Sequence, residues 1–440
     1  MKSDRRAPVA IIGGGFSGTM LAAQLARRGI GSMLIDGSGR AGLGTAYSTA
    51  EPAHLLNVRA EGMSAWPDAP GDFADYFVAE GGDARGFAER RLFGRYLRGI
   101  LDGAVASGHV DVIESSAVAA DRGDGGWVVT LDDGRTLAAN VLALANGNQP
   151  PEPMRGFEAA GPRFIGNPWG SEAKAAVAAL AADGGDALVI GTGLTMVDTV
   201  LSLAAAGHQG RIVAVSRRGL IPRGHAEFSP APVAAEEVPH GDLVALWRWL
   251  RRRAGEVGWR AAVDGLRPYS AALWQALDEA QQRRFLRHAR PWWDVHRHRI
   301  APEVSAMLRE LVAAGRLEIV AGRIGDVRSG DGCLEVAIRR RGRPAQSVYE
   351  SIAYAFNCTG PLGAIERTRD PLLRGLLDAG LVTPDVHGMG LAIDDRNRAG
   401  QMVRAVGPLT KGRYWEIVAV PDIRGQAAAV AADIAAELER

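Results

Sequence analysis

Three glycines spaced as G-x-G-x-x-G close the run Pro8-Val9-Ala10-Ile11-Ile12-Gly13-Gly14-Gly15-Phe16-Ser17-Gly18. That spacing binds phosphate when a strand enters it and a helix leaves it. Here a short apolar run enters, and a helical stretch, Thr19 to Arg28, follows. Ser32-Met33-Leu34-Ile35-Asp36 then reads as a second strand ending in an acid. In this βαβ pattern Gly13 permits the tight turn, Gly15 lets the backbone approach a pyrophosphate, and Gly18 lets the helix pack against the strand. The helix N-terminus offers free N–H groups to the phosphates. Asp36 is placed to accept the hydroxyls of a ribose. The other reading is a glycine-rich βα turn without a ligand.

A second unit repeats the plan. Asp186-Ala187-Leu188-Val189-Ile190-Gly191-Thr192-Gly193-Leu194-Thr195-Met196-Val197-Asp198 is again strand, G-x-G and helix, with Met196 in place of the third glycine. Arg211-Ile212-Val213-Ala214-Val215-Ser216 is its second strand. Where the first unit has Asp36, this one has Arg217-Arg218. An arginine there pairs with a 2′-phosphate that an acid would repel, so the expected dinucleotide is NADPH. The alternative is a solvated arginine pair at a strand end.

Further candidates lie in loops and at strand ends. A second glycine-dense loop, with Gly37, Gly44, Thr45 and Ala46, is expected to run beneath the cofactor of the first turn. Polar His54 and Asn57 flank the apolar pair Leu55-Leu56. They are the candidate catalytic side chains beside a redox ring, or else simply part of a turn. Two strands end in small residues and a glycine, at Ala145-Asn146-Gly147 and at Asn357-Cys358-Thr359-Gly360, and a third strand ends at Gly407. Such ends suit a backbone pressed against a cofactor. Arg283 to Arg299 is dense in cations and aromatics. It reads equally as a grip on phosphates or an anionic substrate and as arginine stems lying over tryptophans. His296 and His298, two apart, do not share a helix face as a metal pair would.

These elements imply an α/β chain with two Rossmann-like units. The expected division is a first unit over 1–160, a second over 161–350 carrying a helical insert at 230–315, and a return to the first over 351–440. Arg90 to Ser107 is expected as a helix with its aromatics in the core, Asp132-Asp133-Gly134 as a hairpin turn, and Gln426 to Leu438 as the C-terminal helix. The chain has 440 residues, 47% of them apolar and 23% charged, with a formal net charge of +1. That balance gives no electrostatic case for nucleic acid or an anionic membrane surface, and the apolar runs are far short of a membrane span. Met1 to Arg6 is basic, but the apolar run after it reads as the first strand and not as a signal peptide. Two cysteines, Cys333 and Cys358, with no C-x-x-C pattern, fit a reduced cytoplasmic protein and speak against a disulfide-reductase reading.

Two nucleotide units, two glycine-ended strands and a terminal strand–Gly–helix resemble the two-dinucleotide-binding flavoproteins. More narrowly, Gly191 to Asp198, Ser216-Arg217-Arg218-Gly219, His54 to Val58, and Trp415-Glu416 through Pro421 to Arg424 resemble a bacterial family of FAD/NAD(P)-binding proteins. That family is related to the flavin N-hydroxylating and Baeyer–Villiger-type monooxygenases. The resemblance implies FAD at Gly13, Gly15, Ser17, Gly18 and Asp36, and NADP(H) at Gly191, Gly193 and Arg217. Phe16, Gly37, Gly44, Thr45, Ala46, Asn57, Asn146, Gly147, Thr192, Leu194, Thr195, Arg218, Gly360 and Gly407 complete the expected cofactor contacts. Phe164-Ile165-Gly166-Asn167-Pro168-Trp169 departs from the Baeyer–Villiger signature, with Trp169 where its histidine would fall. The expectation is a monooxygenase that uses NADPH to reduce FAD, takes up molecular oxygen at the flavin C4a carbon, and hydroxylates a small molecule. The alternatives are an NADPH-dependent flavin reductase or dehydrogenase, and a flavin-binding sensor that does not turn over. Substrate and oligomeric state are left open.

Overall fold

The computed structural model describes residues 5–123, 125–330, 332–343 and 346–439; Met1 to Asp4, in the basic start of the chain, lie outside them. In the first of two sheets, the strand Arg5–Ile12 runs parallel between Ser32–Ile35 and Thr136–Leu144. Val110–Ile113 lies beyond the former and Val403–Ala405 beyond the latter. The chain leaves the central strand on one side and returns on the other, which opens a crevice at the strands' carboxyl ends. Val9, Ala10 and Ile11 have no exposed surface, because both faces of the sheet are covered; that is why this run is continuously apolar. The helices Phe16–Ala26, Arg90–Ala106 and Val420–Leu438 cover one face. The hairpin Ala117–Gly123/Gly126–Leu131 and the helix Pro371–Asp378 cover the other.

The second sheet is built the same way. Asp186–Ile190 runs parallel between Ile212–Ser216 and Gln346–Asn357. Leu317–Ser329 and Gln346–Asn357 are long strands. One half of each joins the parallel sheet, and the other half pairs antiparallel with Leu334–Arg340 in a meander. The expected boundary at residue 350 falls inside Gln346–Asn357. Ile352 to Asn357 pair with Asp186–Ile190, so the second sheet extends to Asn357. The chain rejoins the first unit at Leu362, whose N–H donates to the Gln149 carbonyl.

The helical insert holds Leu243–Val257, Trp259–Leu266, Ser270–Ala276, Glu279–Arg284 and Arg290–Arg297. Asp242 caps the first of these, its Oδ1 accepting from the N–H groups of Val244 and Ala245 at 2.8 and 3.0 Å. The next helix, Pro302–Ala313, belongs to the second unit, since Val304, Leu308 and Leu311 join the core of that sheet. The insert sits on the C-terminal segment: Trp274 Nε1 donates to the Gly412 carbonyl at 2.8 Å. The C-terminal helix begins at Val420 and not at Gln426. Pro421 reads as a helix breaker in isolation, but in a first turn its missing N–H would have had no intrahelical partner. Among the described residues no helix is long and apolar enough to cross a membrane.

Candidate active site

The first glycine turn and the start of the second unit's helix line one cleft of about 530 Å³. From the first unit it is lined by Gly13, Gly15, Phe16 and Ser17, by Asp36, and by Gly44, Thr45 and Ala46 of the second glycine loop. Asn146, Gly147 and Gly360 come from the two glycine-ended strands, and Leu194 and Thr195 from the start of the second unit's helix. Sequence reasoning singled out all of these.

The turn geometry follows from what the glycines avoid. A Cβ at Gly18 would lie well under 3.0 Å from the Gly13 carbonyl oxygen, and one at Gly44 would meet the Gly15 Cα at 2.8 Å. The two glycine loops therefore touch because neither carries a side chain. Gly15 caps the helix Phe16–Ala26 with no side-chain acceptor for its first-turn N–H groups, so those donors face the cleft. Asp36 closes the turn: its Oδ2 accepts from the Gly14 N–H at 2.6 Å, and its Oδ1 accepts from the Ser38 N–H at 2.8 Å. Asn146 Nδ2 donates to Asp370 Oδ2 at 3.0 Å, whereas its Oδ1 is buried without a partner. Uncapped N–H donors at a helix start and an orphaned acceptor deeper in the cleft fit a large polar dinucleotide.

Other expected residues shape the site without lining it. A Cβ at Gly37 would strike Ser116, and one at Gly407 would strike Ser17. Gly407 N–H also donates to Gln426 Oε1 at 2.7 Å. Gly191, with φ +110°, lies against the Cys358 carbonyl, and Gly193 caps the helix Leu194–Ala205 with no side-chain acceptor. Thr192 Oγ1 bonds Ser216 Oγ at 2.8 Å, joining this turn to the strand end that carries Arg217 and Arg218. Arg217 is exposed.

The candidate catalytic pair is not brought to the cleft. His54 is buried. Its Nδ1 is 2.9 Å from Thr49 Oγ1, and its Nε2 is 3.0 Å from both the Asp198 carbonyl and Ser202 Oγ. With both ring nitrogens engaged, it ties a loop of the first unit to the second unit's helix. Asn57 is half-buried in the same loop, and its carbonyl accepts from His225 Nε2 at 3.0 Å.

In their place the cleft holds residues that sequence reasoning missed: Arg40, Tyr47, Arg90, Trp169, Asp198, Pro408, Val418, Val420 and Ile423 among them. Arg90 and Asp198 form a two-pronged ion pair across the units, Nη1–Oδ2 at 3.0 Å and Nη2–Oδ1 at 2.9 Å. They are 108 residues apart, so no local pattern announces the pair. Burial pushes the Tyr47 hydroxyl up to about 12, against a smaller opposing effect of Arg90, so it stays a neutral donor. Val420 and Ile423 bring the start of the C-terminal helix to the cleft. The Arg283–Arg299 run divides by burial. Arg297 Nε lies 2.8 Å from Glu416 Oε2 in a pair that is at most 7% exposed on either side, Trp293 Nε1 donates to Glu416 Oε1 at 2.7 Å, and Arg299 pairs with Asp264. These groups anchor the insert.

The fold is that of a chain with two dinucleotide-type units joined at one cleft. Residues 10–149 match the model of a family described as FAD-NAD(P)-binding. No curated protein matches the sequence. Among solved structures, the chain is similar to L-lysine 6-monooxygenase from Pseudomonas syringae (18% identity, TM-score 0.66, covering 98% of this chain and 99% of that one). It is also similar to the ornithine N-hydroxylase of Kutzneria sp. 744, solved with reduced FAD, NADP⁺ and L-ornithine (16%, 0.65, 98% and 100%). A third is the bacillithiol disulfide reductase of Staphylococcus aureus (13%, 0.59, 98% and 99%). At these identities the likeness is one of fold.

Proposed function

We propose that the chain is an FAD-dependent, NADPH-consuming monooxygenase acting on a small molecule. The observation that carries this reading is the shared cleft, where the N-terminal ends of both glycine-turn helices meet. Gly13, Gly15, Ser17 and Asp36 would hold FAD; Gly191, Gly193 and Arg217 would hold NADPH. When bound, FAD supplies hydride acceptance from NADPH and electron transfer to molecular oxygen. The chain's own part is to position and to exclude water. The helix N–H groups of the first turn take the pyrophosphate, Arg90 and Asp198 hold the two units in register, and Val418, Val420 and Ile423 make one wall of the cleft apolar. On this reading the nicotinamide unit spans 161–357, and the FAD unit comprises the segments before and after it.

The thiols favour oxygenation over disulfide reduction. Burial pushes Cys358 up to about 12, too high for a thiolate nucleophile. Among the described residues neither Cys333 nor Cys358 lines the cleft, and both are free. The cofactor assignment is tested by Arg217→Ala, which should raise KM for NADPH at least tenfold and leave KM for NADH nearly unchanged. An unaltered ratio of the two would remove the 2′-phosphate from Arg217.

A further inference from the structure

A second, open cavity of about 670 Å³ lies beyond the second glycine turn. Its walls are the segment 221–226, the helices Trp259–Leu266 and Pro302–Ala313, and His296 at the end of Arg290–Arg297. Its lining includes Arg223, Arg260, Arg309, His225 and His296, and no carboxylate among the described residues.

Of the acids nearby, Asp264 pairs with Arg299 and Glu227 with Arg59 and Arg85, while Glu303 and Glu310 are exposed beside Pro302 and Arg309 on the wall helix. Two of the lining arginines, Arg260 and Arg309, are held by neutral oxygens instead. Arg260 Nη2 donates to the Gly224 carbonyl at 2.8 Å, while its Nε is buried without a partner. Arg309 Nη1 reaches Ser305 Oγ at 3.4 Å. Behind them Arg299, 4% exposed, has Nε and Nη1 with no partner. Elsewhere arginines pair routinely with carboxylates, as Arg404 does with Asp433 and Glu437. Uncompensated cations converging on a concave surface raise its potential and attract anions.

The wall is also rigid. Arg223 N–H donates to the Val295 carbonyl at 2.9 Å, Ile300 N–H to the Arg223 carbonyl at 3.0 Å, and His225 N–H to the Ile300 carbonyl at 2.9 Å. Gly224 is pressed so close to Ser305 that a Cβ would meet its Oγ at 2.8 Å. Guanidinium groups on a fixed wall suit forked hydrogen bonds to planar or tetrahedral oxyanions.

We propose that this cavity is an oxyanion-binding site, taking the phosphate or carboxylate group of a small molecule on Arg223, Arg260 and Arg309. Two sources supply that chemistry. One is the 2′-phosphate end of NADPH, which this site would then share with Arg217, since Ile221 of the cavity directly follows Leu220, whose carbonyl accepts from Thr192 Oγ1. The other is a separate anionic ligand, such as an acidic substrate. The site itself stands apart from the oxygenation chemistry proposed above.

The test is calorimetric titration of inorganic pyrophosphate into the FAD-loaded full chain, with and without saturating NADP⁺. The wild type is compared with Arg309→Ala and Arg260→Gln. Arg309 is exposed, so its variant should melt as the wild type does. The expected result is at least tenfold weaker pyrophosphate binding in both variants. If NADP⁺ abolishes wild-type binding and both variants lose their preference for NADPH over NADH, the oxyanion is the cofactor's 2′-phosphate. If binding survives NADP⁺, it belongs to a separate ligand. Absence of binding to the wild type, or equal binding to all three proteins, would overturn the site.

Discussion

Replacing Asp198 by Asn should destabilise the protein more than any ordinary surface change. Asp198 lies in the helix Leu194–Ala205 and Arg90 opens the helix Arg90–Ala106, so their ion pair spans the two nucleotide units. The side chains are 7% and 14% exposed. Arg90 Nε also donates to the Leu55 carbonyl at 3.1 Å, which holds the guanidinium in place when its partner is lost. Removing one member of such a pair leaves a buried charge alone and costs about 3–5 kcal/mol. The slight exposure of Arg90 to the cleft argues for the lower end. At about 2–4 °C per kcal/mol for units of this size, the melting temperature should fall by roughly 6–12 °C. Urea titrations of wild type, Asp198→Asn, Arg90→Leu and the double variant give the coupling energy directly. The double variant should recover part of the loss, because no unpaired charge remains. A coupling below about 0.5 kcal/mol, as for solvent-exposed pairs, would refute this account of how the units are held together.

Three further outcomes follow from single residues. Gly191→Ala introduces a Cβ at φ +110° against the Cys358 carbonyl. The conformation alone costs about 1–2 kcal/mol, so NADPH binding should be lost while FAD content, read from flavin absorbance, is retained; normal NADPH kinetics would contradict this. Cys358 should resist iodoacetamide in the folded protein at pH 8, because its thiol is buried and pushed up to about 12; peptide mass spectrometry showing it alkylated would count against that burial. Burial foremost, with Arg299 and Arg59 adding repulsion, lowers His225 to about 4, against about 6.5 when unfolded. The unfolded chain therefore binds the extra proton first as pH falls. Stability should drop between pH 6.5 and 4, and His225→Asn should flatten the urea-midpoint profile across that window; an unchanged slope would exclude His225 as its source.

What was legible in the sequence was local. Gly13 to Gly18 with Asp36, and Gly191 to Gly193, carry their geometry in consecutive residues, so turn, strand and helix could be read together. The strand ends at Asn146-Gly147 and Gly360 were legible because small residues at the end of an apolar run have few other uses. What escaped was long-range. His54 looked available until the Asp198 carbonyl, 144 residues on, engaged its ring. The expected boundary at 350 falls within a strand because Gln346–Asn357 changes partners midway, at a register shift spanning Ser351 with φ +61°, and an apolar pattern does not record which strand is the neighbour. The Arg283–Arg299 run could be read two ways because burial divides it residue by residue: Arg297 meets Glu416 while His296 lines a cavity.

The central claim is tested most directly by anaerobic stopped-flow reduction of the FAD-loaded protein with NADPH, followed by mixing with oxygenated buffer. The account predicts rapid flavin reduction, then a transient spectrum distinct from both the reduced and the oxidised forms before the oxidised flavin returns. Direct return of the oxidised spectrum with stoichiometric hydrogen peroxide, or no reduction by NADPH at all, would contradict it.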